Sequence, residues 1–472
     1  MLLHFKVKLF FKIRLILSSK LFQLAYKIWT HRSVRAGAKT LDITFGLISA
    51  KKGEKTLEKL NTAYVAAAHS ARRGAMHESI KQRISILEEI YDFNGIEFGN
   101  HEYFAPFLHP SWGRWFGHQS NIFALDSAQI FGFATPGTRY LPIQHYSENT
   151  SSSKPRQSWS FQEIVFAKNS HWLKTIPANS LDRLSDFSPL NYLFENSDII
   201  RLTDRFVDIH HLLKIIFAKH NEVGYPDLLP DTYKTYAKQH LLTILPSLSN
   251  YEKFAVLHLR ESDDPDDAKK VRLENYLDAI RLIIGRGFAV IRIGTPPTGR
   301  PMTKLPNIPG LFDFARFDLE SHQGLHPYLL TTSEFVLTTH SGLHALPALA
   351  GVPVLATNVI GPGFALLERS TGSLSIPKRF ELNGKPMTIN QLISSNIGYA
   401  EMTLSEFQGY GVDVFENSSE EISLATRQLL DELISKNFSE NRLASLMKEL
   451  GSISNGRVPE SYFEINPWFY TA

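Results

Sequence analysis

An α/β architecture with a parallel sheet is what the second half of this 472-residue sequence predicts, and three observations predict it. Short apolar runs at 254–259, 288–293, 335–338 and 352–357 have the length and aliphatic content of strands buried on both faces. Between the first two, residues 273–286 place Leu273, Tyr276, Leu277, Ile280, Ile283 and Ile284 at helical spacing, and Gly287 ends the pattern. Residues 320–332 and 343–350 read as further helices alternating with the later strands, and Gly351 leads into the last one. Strand, helix and strand in that order form a βαβ unit, so the strands run parallel under helices on both faces. The chain is about three times a domain of roughly 150 residues, so more than one globular unit is expected.

With 43% hydrophobic and 21% charged residues, the composition supports a large core rather than a disordered or fibrous chain. The formal charge of +3 hides an asymmetry: residues 1–41 carry nine Lys/Arg and no Asp/Glu, leaving 41 basic against 47 acidic residues elsewhere. A mildly acidic body does not offer the basic stripe that nucleic acid requires, so that class of partner is set aside. The absence of cysteine excludes disulfides, thiolate zinc sites, iron–sulfur clusters and thiol nucleophiles together.

Upstream, residues 1–40 read as a basic amphipathic helix. Lys8, Lys12, Lys20 and Lys27 share one side, and Leu9, Phe10, Ile13, Leu17, Leu21, Leu24 and Ile28 crowd the other. No run reaches transmembrane length, and the pattern suits the surface of an anionic membrane. A helix packed on the protein's own body and a cleavable targeting peptide are the competing readings. The long uncharged stretch from Phe335 is broken by Pro347, Pro353 and Pro362 and reads as core, not as a span. Residues 41–100 hold two helical patterns, 56–73 and 77–91, about the breaker Gly74, and resemble a helical hairpin. A serine-rich loop occupies 147–160, a helical stretch punctuated near Gly224 runs from 207 to 244, and the lobe boundary falls at Pro246-Ser-Leu-Ser-Asn.

In open parallel sheets ligands bind beyond the carboxyl ends of the strands, which directs attention to the residues just past each strand. After the first come His258, Arg260, Glu261 and Ser262, where the Arg260 guanidinium either forks a phosphate or pairs with nearby acids. The third strand turns at Ser341-Gly342 straight into a helix. That turn either presents backbone amides and a hydroxyl to a diphosphate or serves as an ordinary cap, and His340 and His344 flank it as packing residues rather than metal ligands. The run Ser262-Asp-Asp-Pro-Asp-Asp is either a solvated loop or an Asp-x-Asp metal holder, the loop being favoured. No P-loop, Gly-x-Gly-x-x-Gly, His-Glu-x-x-His or Gly-x-Ser-x-Gly motif is present.

His258-Leu-Arg260, Arg272-Leu-Glu-Asn-Tyr276, Val290-Ile-Arg-Ile-Gly294, His340-Ser-Gly342 and Pro353-Val-Leu-Ala-Thr-Asn358 together resemble, in order and spacing, a family of glycosyltransferases from bacterial surface-polysaccharide clusters. The His-x-Arg is similar to that of fucosyltransferases, and the Ser-Gly to Gly-Val-Pro-Val block resembles the nucleotide-sugar half of heptosyltransferases. The likeness spans about 110–435, with Trp115-Phe-Gly117-His118 near the start. The sequence departs from the family pattern at Thr295 after Gly294 and at Leu273 after Arg272. What the resemblance implies is an α/β chain of two Rossmann-like lobes, the GT-B type, with an N-terminal helical extension. The acceptor-side lobe would span 101–245, the donor lobe 254–435, and a helical tail, 436–472, would cross back to the first lobe.

By the same resemblance Arg260, Ser341 and Gly342 would hold the donor diphosphate with His258 and His340 beside them, Arg292 would add charge, and Asn358 would face the nucleoside. A base in the first lobe, His118 or Asp126, would deprotonate the acceptor hydroxyl, with turn bracing and helix capping as their structural alternatives. No cofactor or metal is expected. The implied partners are a nucleotide-sugar donor, a glycan or lipid-linked acceptor and an anionic membrane surface, which places the protein in the cytoplasm at the inner face of the plasma membrane. A non-catalytic nucleotide-sugar or glycan binding protein of the same fold is the alternative.

Overall fold

The computed structural model describes residues 74–93, 199–201, 206–294, 302–316, 325–366, 369–439 and 442–470, with a few positions between 63 and 133. The basic segment 1–40, the loop 147–160, His118, Asp126 and most of the expected 101–245 lobe lie outside the described residues. Among the described residues no helix is long and apolar enough to cross a membrane.

Helix α1 (Met76–Phe93) comes first and packs against the strands that follow. The antiparallel pair β1 (Ile199–Arg201) and β2 (Phe206–Asp208) leads into α2 (Ile209–Val223), whose first turn is capped by the Asp208 carboxylate accepting from the His210 N–H, and then α3 (Asp231–Ile244). The α/β body follows: β3 (Phe254–His258), α4 (Leu277–Gly285), β4 (Ala289–Ile293), β5 (Leu311–Asp313), α5 (His326–Thr332), β6 (Phe335–Thr339), α6 (Ala345–Leu349), β7 (Val354–Val359), α7 (Pro362–Ala365) and β8 (Leu374–Pro377). A second, antiparallel sheet is made by β9 (Arg379–Leu382), β10 (Lys385–Pro386) and β11 (Val412–Phe415), with α8 (Ile389–Ser394) and α9 (Leu404–Gly409) between them. The chain ends in α10 (Ser419–Ser435), α11 (Arg442–Glu449) and α12 (Glu460–Ile465).

The main sheet has six strands, all parallel, in the order β5-β4-β3-β6-β7-β8. The chain starts at the centre, steps outward through β4 to β5, and returns to the other flank of β3 at β6. That reversal defines a switch point between β3 and β6, where two successive loops leave the sheet in opposite directions. Ala255, Val256, Val290, Ile291, Val336, Leu337, Val354 and Leu355 are all buried, so neighbours on both faces of the strands contribute to one core. α10, held at its start by a reciprocal Ser418 and Glu421 capping box, packs with α4 over the sheet. Gly351, at φ 77°, brings the chain into β7 against Tyr225, two residues past the end of α2, whose ring would lie 2.8 Å from any Cβ there.

The four strands expected from apolar runs are present, each within a residue or two of its expected limits. β5 and β8, three and four residues long, carry too few positions for periodicity to reveal them. Two hydrogen bonds of the tail reach the α/β body and α10. The Arg457 carbonyl accepts from Ser375 N–H at 2.8 Å, and Asn466 Nδ2 donates to Glu421 at 2.7 Å.

Asn358, expected to face a nucleoside, is instead fully buried at φ 54°. Its N–H donates to Asn417 Oδ1 (2.6 Å), its Oδ1 accepts from Asn417 N–H (2.8 Å), and its Nδ2 donates to Tyr276 OH (2.9 Å). Asn417 Nδ2 also donates to the Pro377 carbonyl at 2.7 Å, so one amide stitches β7, β8 and the start of α10. Both polar atoms of the Asn358 side chain are thereby engaged within the core, and at 0% exposure the residue does not face a ligand. Replacing Asn417 with Ala strands the Asn358 N–H in the core and leaves the Pro377 carbonyl only the Tyr462 hydroxyl at 3.3 Å. Chemical denaturation should register a loss of about 2–4 kcal/mol, whereas a variant as stable as the parent would contradict this bracket.

Candidate functional site

The parallel pairing sets His258 opposite both Ile293 on β4 and Thr338 on β6, so the exits of β3 and β6 lie side by side. Beyond that register the Arg260 N–H donates to Thr339 Oγ1 at 3.1 Å, and His258 Nδ1 lies 3.1 Å from Thr338 Oγ1 and 3.3 Å from Ser341 Oγ. Thr338 Oγ1 donates to the Thr339 carbonyl, so its remaining role is to accept, and the His258 proton sits on Nδ1. Ser341 caps the short helical turn Gly342–His344 by accepting from Leu343 N–H, while Gly342 is exposed. His258, Arg260, His340, Ser341 and Gly342 thus come together at the switch point.

Arg260 is 45% exposed, and its Nε donates to Asp267 Oδ2 at 2.8 Å. That single bond orients the guanidinium and leaves both terminal nitrogens without a protein acceptor among the described residues, so the phosphate and ion-pair readings of this residue are compatible. His340 Nδ1 accepts from Ile360 N–H at 3.2 Å, which puts its proton on Nε2, 3.8 Å from Glu401. Burial, with Lys269 adding to it, holds His340 down to about 3, and burial holds His258 down to about 4. Both imidazoles are therefore neutral near neutral pH, and the positive charge of the site resides on its Arg and Lys side chains.

Arg292 does not supply charge to the site. It has 0% exposure, with Nε and Nη2 forked onto Asp313 at 3.0 and 2.8 Å and Nη1 reaching Glu261 at 3.2 Å and the Thr303 carbonyl at 2.7 Å. Glu261 Oε2 in turn accepts from Thr303 N–H and Oγ1 at 2.7 and 2.9 Å. Two carboxylates already balance this guanidinium, and the cluster fastens the 302–316 segment to the β3 and β4 exits.

The acidic run is structural where it is described. Asp266 accepts from Ser405 N–H and Oγ, both at 2.6 Å, and Asp267 holds Arg260. Asp264 closes a local turn by accepting from Asp266 N–H at 2.9 Å. Among the described residues no group of three His, Asp or Glu side chains could hold a metal ion.

Two cations at the site escaped the sequence reading. Lys269, just past the acidic run, donates to Glu401 Oε1 at 3.1 Å. Arg369 lies ten residues beyond the end of β7, and its Nη2 is 3.3 Å from His344 Nε2. Both arrive by loops, so inspection of the residues directly after each strand passes over them. The signal was a lone basic residue in an apolar, glycine-rich connection, Gly361-Pro-Gly-Phe-Ala-Leu-Leu-Glu-Arg369.

No protein-family model and no curated protein sequence matches the chain. Among solved structures, a glycosyl transferase family 9 protein from Veillonella parvula aligns with 67% of this chain and 95% of its own length, at 13% identity and a TM-score of 0.34. A likeness that loose leaves the activity to be argued from the residues of the site.

The neutral imidazoles give the fold a defined pH response. Their folded values lie below the roughly 6.5 of an unfolded histidine, so the unfolded chain binds more protons between about pH 4 and 6.5. The stability they contribute is complete above about pH 6.5 and is lost as pH falls toward 4. Denaturation at pH 5 should therefore show a lower unfolding free energy than at pH 7, and His340→Gln should flatten the difference. Equal stability at both pH values would contradict the burial of these rings as neutral species.

Proposed function

We propose that the chain is a glycosyltransferase that takes a sugar from a nucleotide-sugar donor and passes it to a surface-polysaccharide or lipid-linked glycan acceptor. The observation that carries this reading is the juxtaposition at the switch point: a guanidinium on the β3 exit whose two terminal nitrogens meet no acceptor among the described residues, and a Ser341-Gly342 turn on the β6 exit whose glycine is exposed. A sheet of this order takes phosphorylated ligands at such a point, and a planar donor fork with nearby amide and hydroxyl groups matches the oxygens of a diphosphate.

In this reading Arg260 and the Ser341-Gly342 turn bind the donor diphosphate, and their charge and dipoles meet the negative charge that grows on the leaving nucleoside diphosphate. The neutral His258 braces Ser341 instead of competing as an acid. Deprotonation of the acceptor hydroxyl falls to a base from the upstream part of the chain, His118 or Asp126. The basic segment 1–40 would bring the enzyme to the inner face of an anionic membrane, where a lipid-linked acceptor resides.

Full-length protein incubated with UDP-, GDP-, ADP- and CMP-sugars and a glycan acceptor fraction should release nucleotide with at least one donor. Arg260→Ala should weaken binding of that donor about ten- to hundredfold, the worth of a charge-assisted hydrogen bond or two. Binding with no turnover for any acceptor would favour the non-catalytic alternative. Neither binding nor release with any donor would overturn the proposal.

A further inference from the structure

Arg369 is 6% exposed, yet it has no carboxylate within ion-pair distance among the described residues. Its Nη2 donates to the Ala365 carbonyl and lies against His344 Nε2, each at 3.3 Å, while Nη1 meets no acceptor at all. Because His344 Nε2 faces a guanidinium, which can only donate, the imidazole proton belongs on Nδ1, and that nitrogen has no partner either. Two buried donors, one of them on a fixed positive charge, thus stand without an acceptor.

A folded chain rarely keeps such a group, since burying an unpaired charge is among the costlier things it can do. The fully buried Arg292 is matched by Glu261 and Asp313, and buried Lys378, which has no carboxylate partner among the described residues, still donates to the Lys270 carbonyl at 3.2 Å. Arg369 is also held in place. Its backbone carbonyl accepts from Asn221 Nδ2 of α2 at 3.0 Å, and the neighbouring Thr371 is bound to the same side chain through its N–H at 2.9 Å. The site adjoins the switch point, because the His344 N–H donates to the Ser341 carbonyl and the His340 and His344 rings stack with centroids 6.3 Å apart. Burial brings the Arg369 guanidinium down to about 10, still charged at neutral pH.

We infer that Arg369, with Nη2 held against His344, forms a second oxyanion subsite beside the Ser341-Gly342 turn, separate from the fork of Arg260, which takes one phosphoryl or carboxylate group of a bound ligand. Nη1 of Arg369 supplies the hydrogen bond, and the anion supplies the counter-charge that is missing among the described residues, while the Nδ1–H of His344 points away on the far side of its ring. As a donor subsite this rests on the glycosyl-transfer reading, but the anion site itself does not.

The test is a thermal-shift titration of the full-length protein with inorganic phosphate, inorganic pyrophosphate and glucuronate, none of which carries a nucleoside. Wild type should be stabilised saturably by at least one of them. A shift with phosphate or pyrophosphate alone assigns the subsite to a phosphoryl group, and a shift with glucuronate assigns it to a sugar carboxylate. Arg369→Met should lose that response, with apparent affinity at least about tenfold weaker, while its melting temperature without anion stays at or above that of wild type because an unmatched charge has been removed. Lys238→Ala, which removes an exposed cation of α3, should keep the response. Should Arg369→Met not fold, Arg369→Lys, which keeps the charge but not the fork, decides through the same tenfold weakening. No anion response in wild type, or an undiminished response in the Arg369 variants, overturns the inference. Because no nucleotide is used, that failure is distinct from a failure to bind or turn over a nucleotide sugar.

Discussion

The register between β3 and β6 is the constraint on which the site depends. Pairing His258 with Thr338 fixes how far each strand runs before it leaves the sheet, and so delivers Arg260 beside Thr339 and Ser341 beside His258. Slipping a parallel pair by one residue would turn the buried aliphatic side chains of one strand to the opposite face, so the core enforces the register and the register places the polar groups. Chemistry at this edge is therefore a by-product of packing Ala255, Val256, Val336 and Leu337 correctly. The adjoining clusters serve the same end. Glu261, Arg292 and Asp313 hold the loop after β4, and Asn358 with Asn417 and Tyr276 locks the end of β7 to α10.

The electrostatic character of the edge follows from burial. Three histidines lie near the switch point, and burial deprives His258 and His340 of charge, with His344 well below its ordinary value for the same reason and through Arg369 beside it. They act as shape and hydrogen-bond groups. The lasting charge comes from Arg260, Lys269 and Arg369, of which Lys269 faces Glu401 and Arg260 shares one nitrogen with Asp267. The acidic run, which in sequence looks like a counterweight or a metal holder, spends its described carboxylates on Ser405, on Arg260 and on its own turn.

Much of the fold was legible because aliphatic strands buried on both faces leave continuous apolar runs, and α4 leaves a helical spacing ended by Gly287. What was not legible depends on contacts distant in sequence. Arg292 looks the same on paper whether it faces a phosphate or two carboxylates, and only the return of Asp313 on a three-residue strand decides it. Asn358 at a strand end reads as a ligand contact until Asn417, fifty-nine residues later, is seen to occupy it. Arg369 left only a lone basic residue in an apolar, glycine-rich connection, because a loop and not a strand exit brings it back to the edge. His258, Arg260, His340, Ser341 and Gly342, by contrast, belong to strand exits that the apolar pattern already locates, and the structure brings all five together.

Diffraction from crystals of the full-length protein grown with a hydrolysis-resistant nucleotide-sugar analogue tests the central claim most directly. The account predicts diphosphate oxygens within hydrogen-bond reach of the Arg260 terminal nitrogens and of the Ser341-Gly342 turn, between the exits of β3 and β6. A nucleotide bound elsewhere on the chain, with those groups facing only solvent, would contradict it.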